Sequence, residues 1–223
     1  MPVTELACLH LKNHLSLSDS TNTALATKLR QGITAQARYT NADAYILSQI
    51  EDPSYIYILG RWASVAQHME EWIPSETNQA IMGGMSDGVE LTWIQHLDLD
   101  PSTSSAVTGG EEGIPFTASV VGIGRCFVSV APGSKDGLNR TFSETKHHLK
   151  NFKGPREIAG GWRVDREVDE EGNEKDEFVL FSGWESVEEH FSFAESDGFK
   201  EFARIKQFIR EAEIKHARWE FTA

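Results

Sequence analysis

Long apolar runs are missing from this 223-residue sequence. None approaches the roughly 20 residues that a membrane-spanning helix needs. The opening residues MPVTE carry neither the basic stretch nor the apolar core of a secretion signal. Basic residues are scarce, with 21 Lys and Arg against 34 Asp and Glu and a net charge of −13. Nucleic acids and anionic membranes are bound through clustered Lys and Arg, so neither is an expected partner. Part of the acidic excess lies in residues 165–177, DREVDEEGNEKDE, which reads as a solvated hairpin tip. Cysteine is nearly absent: Cys8 and Cys126 are too few for a disulfide framework or a zinc site. Both fall in apolar, β-rich runs, where a free thiol serves as a small apolar side chain. The expectation is a cytoplasmic chain without a metal or cofactor. Glycine occurs without a dinucleotide-binding pattern, since Gly122-Ile123-Gly124 lacks the remaining glycine and opens a strand.

What is present is a repeat. WASVAQH, residues 62–68, returns as WESVEEH, residues 184–190. The two tryptophans and the two histidines are each 122 residues apart. An apolar run precedes each copy, YIYILG at 55–60 and FVLFSG at 178–183. Each half also opens on a Cys-bearing strand, 6–11 or 124–130, followed by a helix. Leu25, Leu29 and Ile33 form the first helical stripe, and Leu138, Phe142, Leu149 and Phe152 the second. Strands then fall at 44–50 and 157–168, and closing strands at 91–97 and 217–221 carry Trp93 and Trp219. Between the repeat motif and the last strand, Phe202, Ile205, Ile209 and Ala212 predict one continuous helical stripe. Each half thus reads β-α-β-β-α-β, with a first half at 1–100, a Pro/Ser/Thr/Gly-rich linker at 101–117 and a second half at 118–223. The predicted fold is α+β: two ferredoxin-like halves that bury their open sheet faces together as an intrachain version of a dimeric α/β barrel. Such a chain is expected as a monomer or as a homodimer.

Residues 178–204, FVLFSGWESVEEHFSFAESDGFKEFAR, resemble the antibiotic-biosynthesis-monooxygenase (ABM) family of dimeric α/β barrels. They also resemble the related stress-responsive and haem-degrading branches. The first half shares this likeness through residues 62–68 and its element order. The haem-degrading branch takes its iron ligand from a His seven residues beyond a helical Ser. From Ser196 and Ser75 that spacing reaches Ala203 and Met82. That branch also has a Trp three residues before the Ser, matched by Trp72 but replaced by Phe193 in the second half. The catalytic His of the plant polyketide-cyclase branch has no counterpart in residues 75–78 or 196–199. The resemblance implies a cofactor-independent enzyme of secondary metabolism that oxygenates, cyclises or rearranges an aromatic or polyketide-like substrate. A non-catalytic stress-type or ligand-binding barrel is the alternative, and haem binding or degradation a third.

The candidate catalytic residues are His190, His68, His10 and Arg125. Histidine carries protons near neutral pH, and His68 and His190 are repeat-equivalent and early in a helix, where a capping or exposed role is the alternative. His10 shares a strand face with Leu6 and Cys8, and His96 is expected on the adjacent strand. Arg125, a charge within a strand, faces water, ligand or the other half. Trp72, Trp162, Tyr45, Phe193 and Trp184 are the candidate substrate-binding residues, and a small hydrophobic or aromatic molecule is the expected partner. The second half is expected to hold the working site. Ser64 and Ser186 are read as helix N-caps, with Trp62 and Trp184 packing over the first turn.

Overall fold

Val3–Leu11, the first strand (β1), is buried along almost its whole length, which places it inside a sheet with both faces covered. The computed structural model describes residues 1–19, 22–99, 113–154, 156–165, 167–168 and 174–223. These divide into two compact units, Met1–Asp100 with Ala217–Ala223, and Pro101–His216. Most of the sequence-predicted linker, residues 101–112, lies outside the described residues. Among the described residues no helix is long and apolar enough to cross a membrane.

In the first unit β1 is followed by α1 (Thr23–Thr40), β2 (Ala44–Gln49), β3 (Tyr55–Trp62), a π-helical turn (Gln67–Trp72), α2 (Glu76–Gly83) and β4 (Val89–Leu97). The strand order is β4-β1-β3-β2, the antiparallel arrangement of a β-α-β-β-α-β half. The α1 stripe packs as its spacing predicts: Leu29 and Ile33 join Leu9 and Leu11 of β1, Ile46 and Ile56 in one core cluster. Gln36 continues that stripe one turn further and is also buried. Its position sets a polar side chain against the sheet. α1 ends on Asn41 in the left-handed conformation, φ 52, a residue type that tolerates this stop.

The second unit runs β5 (Val120–Val128), α3 (Ser134–Lys150), β6 (Ile158–Trp162), a hairpin of β7 (Glu167–Val168) and β8 (Glu174–Lys175), β9 (Glu177–Trp184), α4 (Val187–Ala194), α5 (Asp197–Phe202) and β10 (Ile209–Thr222). β5 lies between β9 and β10, and β6 borders β9. The unit therefore has the same strand order as the first. In the acidic segment β7 and β8 pair antiparallel, with Glu167 opposite Lys175, while the expected tip, residues 169–173, lies outside the described residues.

Two expectations are corrected here. Ile209 and Ala212 do not extend a helix. α5 stops at Phe202, a 3₁₀ turn covers Ala203–Phe208, and β10 starts at Ile209. Pairing beside β5 outweighs the helical spacing, because local propensity is worth only tenths of a kcal/mol per residue. The closing strand is also longer than residues 217–221, and its last residues group with the first unit. There Ala217 pairs with Gln49 and Trp219 with Leu47 of β2.

The repeat motif sits at the same joint in both units. Ser186 Oγ accepts from the Glu189 backbone N–H and caps α4, and Ser64 Oγ accepts from that of Gln67. Glu189 and Gln67 reach back to the backbone N–H groups of Glu185 and Ala63, one residue before each capping Ser, a close variant of the reciprocal capping box. Replacing Ser186 with Ala should therefore lower stability by about 1 kcal/mol, measured as a shift in urea midpoint at unchanged slope. A wild-type midpoint would show that the cap is dispensable.

Candidate functional site

In each unit the strand-end tryptophan organises a histidine pair. Trp62 stacks on His68 with ring centroids 4.0 Å apart and planes 7° from parallel. His68 Nδ1 lies 2.8 Å from Nε2 of His96 on β4. In the second unit Trp184 stacks on His190 at 4.2 Å and 12°, and His190 Nδ1 lies 2.8 Å from His216 Nε2. A neutral imidazole has one donor and one acceptor nitrogen, so each pair shares one N–H in either of two directions.

The units differ in what accepts the indole N–H. Trp62 Nε1 donates to Glu5 Oε2 at 2.8 Å, and Gln36 Nε2 donates to the same oxygen at 2.6 Å. Glu5 Oε1 faces His68 Nε2 at 3.9 Å, longer than a hydrogen bond and ionic only when the imidazole is protonated. Trp184 Nε1 instead donates to Ser182 Oγ at 2.8 Å. Glu5 is paired across the sheet with Gly60, and Gly122 with Ser182. Each half thus has one glycine and one acceptor at the facing positions, on opposite strands. A Cβ on Gly122 would sit 2.8 Å from Ser182 Oγ and 3.1 Å from Trp184 Nε1. The space that the Glu5 side chain fills in the first unit is closed in the second.

Glu5, His68 and His96 are 3%, 1% and 0% exposed. Burial pushes the Glu5 carboxyl up to about 7, against the lowering effects of the Trp62 bond, His96 and Gln36. The helical stretch beneath them is irregular. The Ile73 backbone N–H bonds to the carbonyl of His68 at 2.9 Å, closing a π turn, while α4 in the second unit is a regular α-helix. Such turns recur at functional sites. The carboxylate and two imidazoles form an acid–base cluster. Among the described residues no three His, Cys, Asp or Glu side chains are placed to hold a metal ion.

No family model matches the chain, and no curated protein matches it in sequence. Solved structures do. An anthrone oxidase-like protein superposes with a TM-score of 0.64 at 11% identity, covering 99% of this chain and 92% of the other. A candidate monooxygenase from Fusobacterium nucleatum gives 0.58 at 8% identity, over 99% and 93%. A chlorite dismutase variant from Candidatus Nitrospira defluvii gives 0.62 at 7%, over 99% and 92%. What is shared is the fold. At these identities the likeness assigns no residue a role.

The sequence-predicted residues separate into groups. His68 joins the acid–base cluster and is buried rather than exposed. Trp72 packs beside it, with its ring 6.1 Å from Trp62 and 5.1 Å from Tyr39. His10 faces away from Glu5 and stacks on Tyr55 at 4.8 Å. His190, Trp184 and Phe193 lie together in the second unit, where Phe193 is 6.1 Å from the Trp184 ring. Arg125 is elsewhere, bonded through Nε to the buried Glu177 at 2.6 Å, with Arg163 on that acid's other oxygen. Trp162 donates to Asn139 and carries Lys135 over its ring at 4.3 Å. The Tyr45 hydroxyl bonds to Asp43, and burial first, then that carboxylate, pushes it to about 12. Both cysteines are buried, and burial with the charge of Glu177 drives the Cys126 thiol to about 12, where it stays protonated.

Sequence reasoning missed Glu5, Gln36 and His216. Glu5 had a legible signal: it is the lone charge in an apolar strand, in phase with Leu9 and Leu11 on the helix-facing side.

The raised Glu5 carboxyl makes stability depend on pH. From an ordinary value of 4.5 to about 7, the folded state holds the proton more tightly than the unfolded state. Its contribution is full below about pH 4.5 and is lost as pH rises through about 7, a change of about 3 kcal/mol. Glu5→Gln keeps an acceptor for Trp62 and does not titrate. Urea unfolding from pH 5 to 8 should show the variant gaining on the wild type as pH rises. Parallel curves would mean that Glu5 titrates normally.

Proposed function

We propose that the chain is a cofactor-independent small-molecule enzyme of the monooxygenase type, with Glu5, His68 and His96 as its proton-transfer group. The observation that carries this reading is the buried carboxylate with its two unequal oxygens. Oε2 accepts from both Trp62 and Gln36, so a proton on Glu5 belongs on Oε1, the oxygen facing His68. As a carboxylate, Glu5 favours a proton on His68 Nε2, which leaves His68 Nδ1 to accept from His96 Nε2. Protonation of Oε1 removes that bias, and the hydrogen bond between His68 Nδ1 and His96 Nε2 can then run in either direction. The charge on Glu5 is thereby coupled electrostatically to the His68–His96 pair. A carboxyl poised near 7 suits a general base at neutral pH.

Oxygenation, cyclisation and rearrangement of an aromatic or polyketide-like substrate each begin by removing a proton from carbon or a phenol. For an anthrone-type methylene, the base takes one C–H proton and O₂ adds to the carbanion. Loss of the second C–H proton with O–O cleavage gives the ketone and hydroxide, which takes the proton back from the base as water. O₂ is the oxidant, and no external reductant is needed. This reading belongs to secondary metabolism and includes closure of the two halves as an intrachain α/β barrel. It moves the working site from His190 and Arg125 to the first unit, because Gly122 stands where a base would be and Arg125 is committed to Glu177. A second reading, a ligand-binding or stress-type barrel without turnover, is favoured by the near-complete burial of the cluster.

Oxygen uptake with an anthrone and hydroxyquinone panel tests both. On the enzymatic reading Glu5→Gln lowers the rate by about 10²- to 10⁴-fold, His190→Gln retains it, and wild-type activity rises with pH through about 7 as the base ionises. Absence of wild-type turnover across the panel supports the second reading. Loss on His190→Gln with retention on Glu5→Gln returns the site to the second unit.

A further inference from the structure

Three aromatic rings lead from the buried cluster of the first unit to its surface. Trp62 and Trp72 are 0% and 4% exposed, whereas Tyr39 is 42% exposed. The Trp62 and Trp72 ring centroids are 6.1 Å apart, those of Trp72 and Tyr39 5.1 Å, and those of Tyr39 and Trp62 6.2 Å. Rings so spaced are in contact, and electron tunnelling, which decays exponentially with distance, is fast between them.

Each end of this path also carries a base for the proton that oxidation releases. Trp62 Nε1–H donates to Glu5 Oε2 at 2.8 Å, and the Tyr39 hydroxyl donates to Glu71 Oε2 at 3.1 Å. An oxidised indole or phenol is a far stronger acid than its parent. A carboxylate already bonded to that proton takes it as the electron leaves, which makes the ring easier to oxidise.

Packing does not demand these residue types. In the second unit Trp184, Phe193 and Phe152 form the matching triangle, with centroids 6.1, 5.2 and 6.5 Å apart. His190 lies 122 residues beyond His68, whereas Phe193 lies 121 beyond Trp72, and the π turn at Gln67–Trp72 takes up the extra residue. Two of the three second-unit rings are thus phenylalanines, which resist one-electron oxidation, and Trp184 donates to the Ser182 hydroxyl instead of a carboxylate. The same space holds an oxidisable trio in one unit and a largely inert one in the other.

We propose that Trp62, Trp72 and Tyr39 form a one-electron conduit that carries oxidising equivalents from the Glu5 cluster to the protein surface. A substrate peroxyl radical at the cluster takes an electron from Trp62 and becomes a peroxide anion, while the indole proton passes to Glu5. Trp72 returns an electron to Trp62, which recovers its proton from Glu5. Tyr39 returns an electron to Trp72 as its hydroxyl proton moves to Glu71. The net products are the peroxide anion, a neutral Tyr39 phenoxyl radical and a protonated Glu71. A one-electron donor in solvent then reduces the phenoxyl, and Glu71 gives the proton back. Only the source of the peroxyl radical, O₂ chemistry at Glu5, rests on the proposed function.

Photogenerated tris(bipyridine)ruthenium(III), an outer-sphere one-electron oxidant, tests the conduit in the full chain without substrate, so the result is separate from turnover. Electron paramagnetic resonance of the frozen wild type should show a tyrosyl signal that falls severalfold in Tyr39→Phe and in Glu71→Gln. Peptide mass spectrometry should find the buried Trp62 oxygenated in Tyr39→Phe and spared in the double variant Tyr39→Phe/Trp72→Phe, which reproduces the ring composition of the second unit. Trp184, 2% exposed, should be spared in every variant. Near-ultraviolet circular dichroism checks that the packing of each variant is intact. A tyrosyl signal unchanged by Tyr39→Phe, Trp62 oxygenated no more than Trp184, or Trp62 oxygenated as much without Trp72 as with it would each overturn the proposal.

Discussion

A buried indole N–H must have an acceptor, and much of this protein is arranged around meeting that need twice. Trp62 and Trp184 end equivalent strands and are 0% and 2% exposed. An unpaired N–H at either place would cost about 1–3 kcal/mol. One unit supplies a carboxylate from its first strand and the other a hydroxyl from its third. The choice propagates outward. The carboxylate needs Gln36 from α1 to share its load and a glycine opposite to make room. The hydroxyl needs glycine on the facing strand and leaves the rest of the pocket to aromatic rings. Two halves with one strand order have therefore become chemically different at the same point.

The histidine pairs are the element both halves retain. Their geometry agrees within 0.2 Å in the stacking distance and in the spacing of the imidazole rings. Pinning a helix start to the last strand of its own unit is a structural role that both pairs perform. The first pair meets the buried Glu5, whereas the acid that interacts with His216 in the second, Glu188, is exposed, and the helix beneath the first pair is a π turn where that beneath the second is a regular α-helix. A buried carboxylate with no Lys or Arg among its described partners is a destabilising feature. Its retention beside two imidazoles is what makes the first unit the stronger candidate for proton transfer.

Much of the architecture was legible in the sequence. The 62–68 and 184–190 motifs mark the same strand-to-helix joint in both units, and the Ser64 and Ser186 caps follow from local hydrogen bonding. The α1 stripe correctly named Leu29 and Ile33 as core. The closing strand was misread because Ile205 and Ile209 are spaced like helix neighbours, while the partner that makes Ile209–Thr222 a strand is more than 80 residues away in sequence. At the site, His68 was legible through the repeat. Its partner His96 was placed on the right strand, but the bond between them was not foreseen. Glu5 was passed over although its phase with Leu9 and Leu11 marked it as a lone acid on the buried face of the strand.

The sequence by itself determined the element order of each half, the two helix caps and the residues that form the α1 core. These depend on interactions within about one helical turn or on the periods of helix and strand. Tertiary structure alone decided which polar groups meet. Glu5, Gln36, Trp62, His68 and His96 come from five separate elements. Sheet register and helix packing bring them together, and burial then moves the Glu5 carboxyl toward neutrality. Neither the register nor the local dielectric is written in any short stretch of chain, which is why the acid–base character of the site appears only in the folded molecule.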